Sequence, residues 1–185
     1  MPWIEVIDEE DADGKLRECY DKAMGKRGKL SNIMKIHSLL PETMTSHLDL
    51  YMKVMFNHSG LSRQEREMVA VVVSAANNCK YCTSHHTEAL EFYWKDKTKV
   101  EQLGEDFRKM ALEPRQQALV EYAHKLTLTP EQVSKGDVLI LKEQGLSDEE
   151  VLNLALVVGY FNFVNRIILG LGVEFSAEEI EGYKY

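Results

Sequence analysis

Apolar residues recur along most of this chain at spacings of three and four, as in helices with one buried face, and stretches that alternate like strands are short and few. Leu16, Tyr20, Ala23 and Met24 share one face of a helix that begins near Asp13 and ends in the GKRGK stretch, leaving residues 1–12 as an extended arm. Met44, Leu48, Tyr51, Met52 and Met55 mark a second helix from Pro41 to Asn57, with proline where a helix start tolerates it. Ser62 and Glu65 form a capping box, and the run MVAVVVSAA behind it carries that helix to about Asn77. The next helix spans about Cys79 to Trp94. After a lysine-rich turn, KDKTK, helices follow at about 98–111, 115–128 and 131–144. A last long helix runs from Ser147 to about Leu169, with Gly170 and Gly172 as stops. The predicted fold class is all-α.

At an offset of 85 residues, GLSRQEREMVAVVV (60–73) falls beside GLSDEEVLNLALVV (145–158), with seven of fourteen positions identical. Two related helical hairpins about a pseudo-twofold axis explain this, because helices so uniformly apolar must be buried on all sides. The first hairpin covers residues 60–94, and the second opens with residues 145–172. In the second copy the places of Cys79, Cys82 and His86 are taken by Val164, Ile167 and Leu171. Whatever chemistry the first hairpin holds, the second is plain core.

A chain of 185 residues suits one domain with a real core, and 44% hydrophobic with 28% charged residues is ordinary globular composition. The net charge of −8, with no basic stripe, argues against nucleic acid as a partner. The N-terminal stretch has neither the cationic nor the apolar region of a signal peptide. Asn153, Asn162, Asn165 and Arg166 interrupt the longest apolar stretch, so it reads as a core helix and not a membrane span. The expected setting is the reducing cytoplasm, where a structural disulfide would not persist. A C-x-x-C there is catalytic, metal-bound or inert.

Residues 77–88 read NNCKYCTSHHTE, with Cys79, Cys82 and His86 at offsets of three and four and so on one helix face. A helix N-terminus favours a thiolate by roughly 0.3–1 kcal/mol, under one pKa unit, so a thiol near 8.5 also needs a base. His86, four residues after Cys82, is one candidate, and His85, three residues after it, competes. Glu67 lies in the apolar heart of the preceding helix, where an unpaired carboxylate is costly. Placed against a thiolate it would raise the thiol pKa, so it suits a position one step back, orienting or deprotonating the imidazole. Glu67, His86 and Cys82 then form a proton relay, and Cys79 is close enough to resolve an oxidised Cys82 into a disulfide.

Plainer readings stand beside this one. The cysteines may be read as small buried hydrophobes, or as zinc ligands together with His86 and Glu67. Arg63, four residues before Glu67, offers an ordinary helix salt bridge. Cys19 reads as a packing thiol, and His37, His47, His58 and His124 show no ligand-like spacing. Met44, Met52 and Met55 suit core filling or a subunit contact. Asn162, Asn165 and Arg166 need partners and suit a hydrogen-bond network under the cysteine hairpin. Tyr160, Phe161 and Phe163 suit either core packing or the wall of an apolar pocket.

Glu67, eleven intervening residues and then C-K-Y-C-T-S-H-H, in a helical chain with a cysteine-free second copy, resembles the AhpD-like alkylhydroperoxidases of the carboxymuconolactone decarboxylase superfamily. The stretch YFNFVNRIILGLGVE is similar to the peroxidase-related branch of that group. The resemblance covers about residues 30–175 and implies an AhpD-like helical bundle and a cofactor-independent peroxidase without a metal. It implies that Cys82 attacks a hydroperoxide and passes through a sulfenic acid. Cys79 is then the proton donor and resolving partner, and His86 and Glu67 the relay. It further implies a homo-oligomer, whether dimer, trimer or hexamer, and an external dithiol reductant, a lipoyl group in some relatives. The chain departs from the best-known members at Tyr81, where they carry histidine, so Tyr81 and His85 are auxiliary candidates. A phenol donates a hydrogen bond but is a poor base near neutral pH. That departure keeps thiol-disulfide exchange without significant peroxidase activity as an alternative, next to a zinc-stabilised binding or scaffold protein.

Overall fold

The computed structural model describes residues 2–180, and among these it contains helices and turns but no strand. In chain order the helices are α1 (Gly14–Arg27), α2 (Asn32–Lys35), α3 (Pro41–Phe56), α4 (Arg63–Ala76), α5 (Lys80–Trp94), α6 (Lys97–Asp106), α7 (Pro114–Leu128), α8 (Lys135–Glu143), α9 (Asp148–Leu171) and α10 (Ala177–Ile180). The valine-rich run of α4 makes it the central helix, with every residue from Arg66 to Ser74 buried. It packs against α5, α7 and α9, and α3 closes the bundle against α9. By length and composition α9 is apolar enough to cross a membrane. Its Asn153 and Asn165 are nevertheless buried and hydrogen-bonded to groups on other segments of the chain, as in a core helix.

The repeat is visible at the helix starts. Ser62 and Glu65 cap α4 as Ser147 and Glu150 cap α9, each by a reciprocal capping box. Arg115 of α7 sits between the two boxes, with Nε donating to Glu65 at 2.8 Å and Nη2 to Glu150 at 2.8 Å. Gly60, at φ +78°, lies against the Glu150 carboxylate, which a Cβ there would strike. Arg66 is buried without a carboxylate partner. It donates instead to the Met55 and Asn57 carbonyls, Ser59 and Asn153, tying the end of α3 to α9.

The two copies diverge after the first helix. In the first, Asn78 adopts a left-handed conformation (φ 56°) that ends α4 and turns the chain into α5. Asparagine tolerates that conformation. Its counterpart at the 85-residue offset is Phe163, for which it is unfavourable, and α9 runs on unbroken. The long helix expected from Ser147 is thus present as α9, and of the hairpin only the first arm is repeated.

Other bounds differ in detail. The helix expected at 98–111 ends at Asp106, where a 3-10 turn over Phe107–Lys109 takes over. That expected at 131–144 starts only at Lys135, because Pro130–Gln132 is a 3-10 turn and Ser134 with Asp137 sets the start. Gly170 lies inside α9, and Gly172 in the left-handed region ends it. The short α2 and α10 were not expected. The N-terminal arm is held by Trp3 N–H on the Leu171 carbonyl (2.9 Å) and by the Tyr20 hydroxyl on the Ile7 carbonyl (2.5 Å).

Candidate active site

The turn between α4 and α5 places the cysteines. Asn78 N–H bonds the Ala75 carbonyl and Cys79 N–H the Ser74 carbonyl, so Cys79 becomes the N-cap of α5 and Cys82 follows in its first turn. The turn is anchored from below. Asn77 Nδ2 donates to Asn162 Oδ1 (3.0 Å) and Asn165 Oδ1 (2.9 Å), and Asn165 donates to Ser74 Oγ (3.3 Å). Arg166 donates to the Asn162 carbonyl and side chain. This is the network that the polar residues of α9 suggested. Asn162 occupies the place in the second copy that Asn77 holds in the first.

The two sulfurs lie 2.7 Å apart, with Cys79 completely buried and Cys82 2% exposed. The Cys79 thiol is lowered, chiefly by hydrogen bonding from Cys82 and against the cost of burial. Burial is the main influence on Cys82 and pushes its thiol up; the hydrogen bond and negative charge of Cys79 add to this, and Asn165 pulls the other way. This agrees with the expectation that the Cys82 thiol needs a base to ionise. Two sulfurs this close titrate as a pair, and the opposite directions of their shifts make Cys79, at the helix N-terminus, the more acidic of the two.

Glu67, fully buried on α4, accepts from His86 Nδ1 on one oxygen at 2.6 Å and faces Arg63 Nη2 with the other at 2.5 Å. Burial alone would raise its carboxyl, but the charge and hydrogen bond of His86, and then those of Arg63, hold it below the usual carboxylate value. The suggested salt bridge with Arg63 and the contact with His86 are both present. An ionised Glu67 accepts only, so it takes its hydrogen bond from His86 Nδ1, which turns Nε2 to the other edge of the ring. The His86 ring stands edge-on to Phe161 at 4.4 Å between centroids. Among the described residues no hydrogen bond joins His86 to Cys82.

Tyr81 and His85 belong to a separate network. The Tyr81 hydroxyl donates to Glu179 Oε1 at 2.8 Å and accepts from Ile33 N–H at 3.2 Å. His85 stacks on the Tyr81 ring, its Nδ1 lies 2.8 Å from the Tyr81 carbonyl, and its Nε2 lies 2.7 Å from Glu179 Oε2. With both ring nitrogens so engaged, His85 does not compete with His86 for Glu67. Burial raises the Glu179 carboxyl most, but His85, Asn32 and Tyr81 together lower it. Sequence reasoning missed Glu179, which lies in an acidic tail that resembles a solvated segment.

A cavity of about 90 Å³ opens beside this group. Cys82, His86 and Glu67 line it together with Tyr51, Tyr160 and Phe161, while Cys79 is not part of the lining. Among the described residues no three His, Cys, Asp or Glu side chains converge as metal ligands. Cys19 lies apart, 3.3 Å from Thr45 Oγ1. His37 and His47, without ligand-like spacing in the sequence, are brought within 3.0 Å of each other.

Among known proteins, the carboxymuconolactone decarboxylase family matches residues 41–92 of this chain. A peroxidase-related protein from Ralstonia eutropha JMP134, with an alkylhydroperoxidase AhpD core, superposes with a TM-score of 0.86 at 26% identity, over 97% of this chain and 94% of its own. A second peroxidase-related protein, from Silicibacter sp. TM1040, gives 0.83 at 28% identity over 97% and 92%. The debrominase Bmp8 shares the fold at 20% identity with a TM-score of 0.76, over 95% and 96%.

Proposed function

We propose, from the match of residues 41–92 to the carboxymuconolactone decarboxylase family and from the AhpD-like all-α fold, that this chain is a cofactor-independent thiol peroxidase acting on small organic hydroperoxides. The observation that carries the reading is a cavity with Cys82 and His86 in its wall and the Cys79 sulfur 2.7 Å from that of Cys82. The Cys82 proton passes to Cys79 or to His86 Nε2, the two acceptors in reach of the reaction, with Glu67 stabilising the imidazolium. Cys82 Sγ attacks the terminal oxygen of ROOH. The S–O bond forms, the O–O bond breaks, and ROH leaves with the thiol proton. Cys79 then displaces water from the sulfenic acid, and an external dithiol, of lipoyl type in this reading, returns two electrons and two protons to the disulfide.

Burial favours this over exchange with folded protein disulfides, since Cys79 is completely buried and Cys82 is reached only through the cavity. A second reading is reductive removal of halogen from a small aromatic ring, suggested by the aromatic wall of Tyr51, Tyr160 and Phe161 and by the shared fold with a debrominase. The test is dithiol-dependent consumption of cumene hydroperoxide. Wild-type protein is expected to turn it over and Cys82→Ser to abolish turnover. A wild type that consumes none sinks the peroxidase reading, and halide release from a brominated pyrrole would support the second.

A further inference from the structure

Tyr160 of α9 lines the cavity, and its hydroxyl joins a hydrogen-bonded chain that runs through two histidines to Thr43. Tyr160 Oη lies 2.6 Å from His47 Nε2, His47 Nδ1 lies 3.0 Å from His37 Nε2, and His37 Nδ1 lies 2.9 Å from Thr43 Oγ1. The outer end sets the sense of the whole chain. Thr43 gives its one hydroxyl proton to the Leu40 carbonyl at 2.7 Å, so it accepts from His37. His37 therefore carries its proton on Nδ1 and, when neutral, accepts on Nε2. His47 then donates from Nδ1 and accepts on Nε2, which makes Tyr160 the donor in the shortest link. Burial favours the neutral form of both rings, lowering His37 and, as the largest cause, bringing His47 down to about 3.

The Tyr160 proton thus points away from the cavity, and serial donation in one direction enriches its oxygen as an acceptor. We propose that Tyr160 determines substrate specificity, its oxygen accepting the O–H of a hydroperoxide and turning the terminal oxygen toward Cys82 Sγ. The inference rests on the peroxidase reading and sharpens its substrate class to oxidants that carry a hydrogen-bond donor on the attacked atom. No bond to Tyr160 is made or broken. The thiol proton still ends on the departing alcohol, and the hydroperoxide proton stays on the sulfenic acid.

The test compares two oxidants of the reduced protein in stopped flow: cumene hydroperoxide, which has the O–H, and methyl methanethiosulfonate, which has none. Tyr160→Phe is expected to slow the hydroperoxide about tenfold and to leave the thiosulfonate within about twofold. Equal slowing of both, or of neither, overturns the proposal. Wild-type protein that reacts with the thiosulfonate but with no hydroperoxide overturns the peroxidase reading itself and this inference with it. Nitrogen-15 NMR of the wild-type histidines supplies a second measurement that needs no variant. His47 is expected to carry its proton on Nδ1 and none on Nε2, and a protonated Nε2 overturns the assignment.

Discussion

Glu67 holds a negative charge while fully buried, and Arg63 with His86 is what makes that tolerable. Because its folded-state pKa lies below the ordinary 4.5, ionised Glu67 stabilises the fold fully above that value. The contribution is lost as the pH falls through the lowered value. Glu67→Gln is therefore expected to cost about 3 kcal/mol near neutral pH. The difference in urea midpoint between variant and wild type should close as the pH drops well below 4.5, whereas a constant difference would mean the carboxyl is not ionised in the fold. Glu67 was legible in the sequence because a charge amid valines demands compensation. Glu179 was not, since its burial depends on Tyr81 and His85, which lie 98 and 94 positions earlier in the chain. His47 showed no sign of its role either, because its partner Tyr160 is 113 residues away.

At the scale of helices, one residue separates the reactive hairpin from its inert copy. Asn78 in the left-handed region reverses the chain and sets Cys79 at the start of α5, while Phe163 lets α9 continue. Asn78→Val is expected to cost about 1–2 kcal/mol through that strain, whereas Asn78→Gly should be tolerated. Thermal unfolding of both variants checks this, and equal losses would show that the turn does not depend on the left-handed residue. The capping boxes and most long helices could be read from local pattern, because their signals lie within four residues. The delayed start of α8 and the early end of α6 could not, since 3-10 turns carry the same apolar spacing into a different hydrogen-bond pattern. The unbroken α9 was legible, because its apolar pattern runs from Ser147 to about Leu169 without a stop signal.

Across the whole molecule, α9 shows solvent an apolar stripe, with Leu152 60% and Phe163 44% exposed and Leu156 between them. We propose that a second copy of the chain covers this stripe, which a bundle of this size leaves unburied. Sedimentation is expected to give a dimer or larger assembly, and Leu152→Glu with Leu156→Glu a smaller one; a monomeric wild type would rule the contact out. The central claim concerns the cavity, where Cys82 meets the oxidant and Cys79 resolves it. It is tested most directly in Cys79→Ser, treated with one equivalent of cumene hydroperoxide and then a sulfenic-acid trap, by mass spectrometry of the modified peptide. The account predicts a trapped sulfenic acid on Cys82. Unmodified Cys82 after the hydroperoxide has been consumed, or a trapped adduct on Cys19 alone, would contradict it.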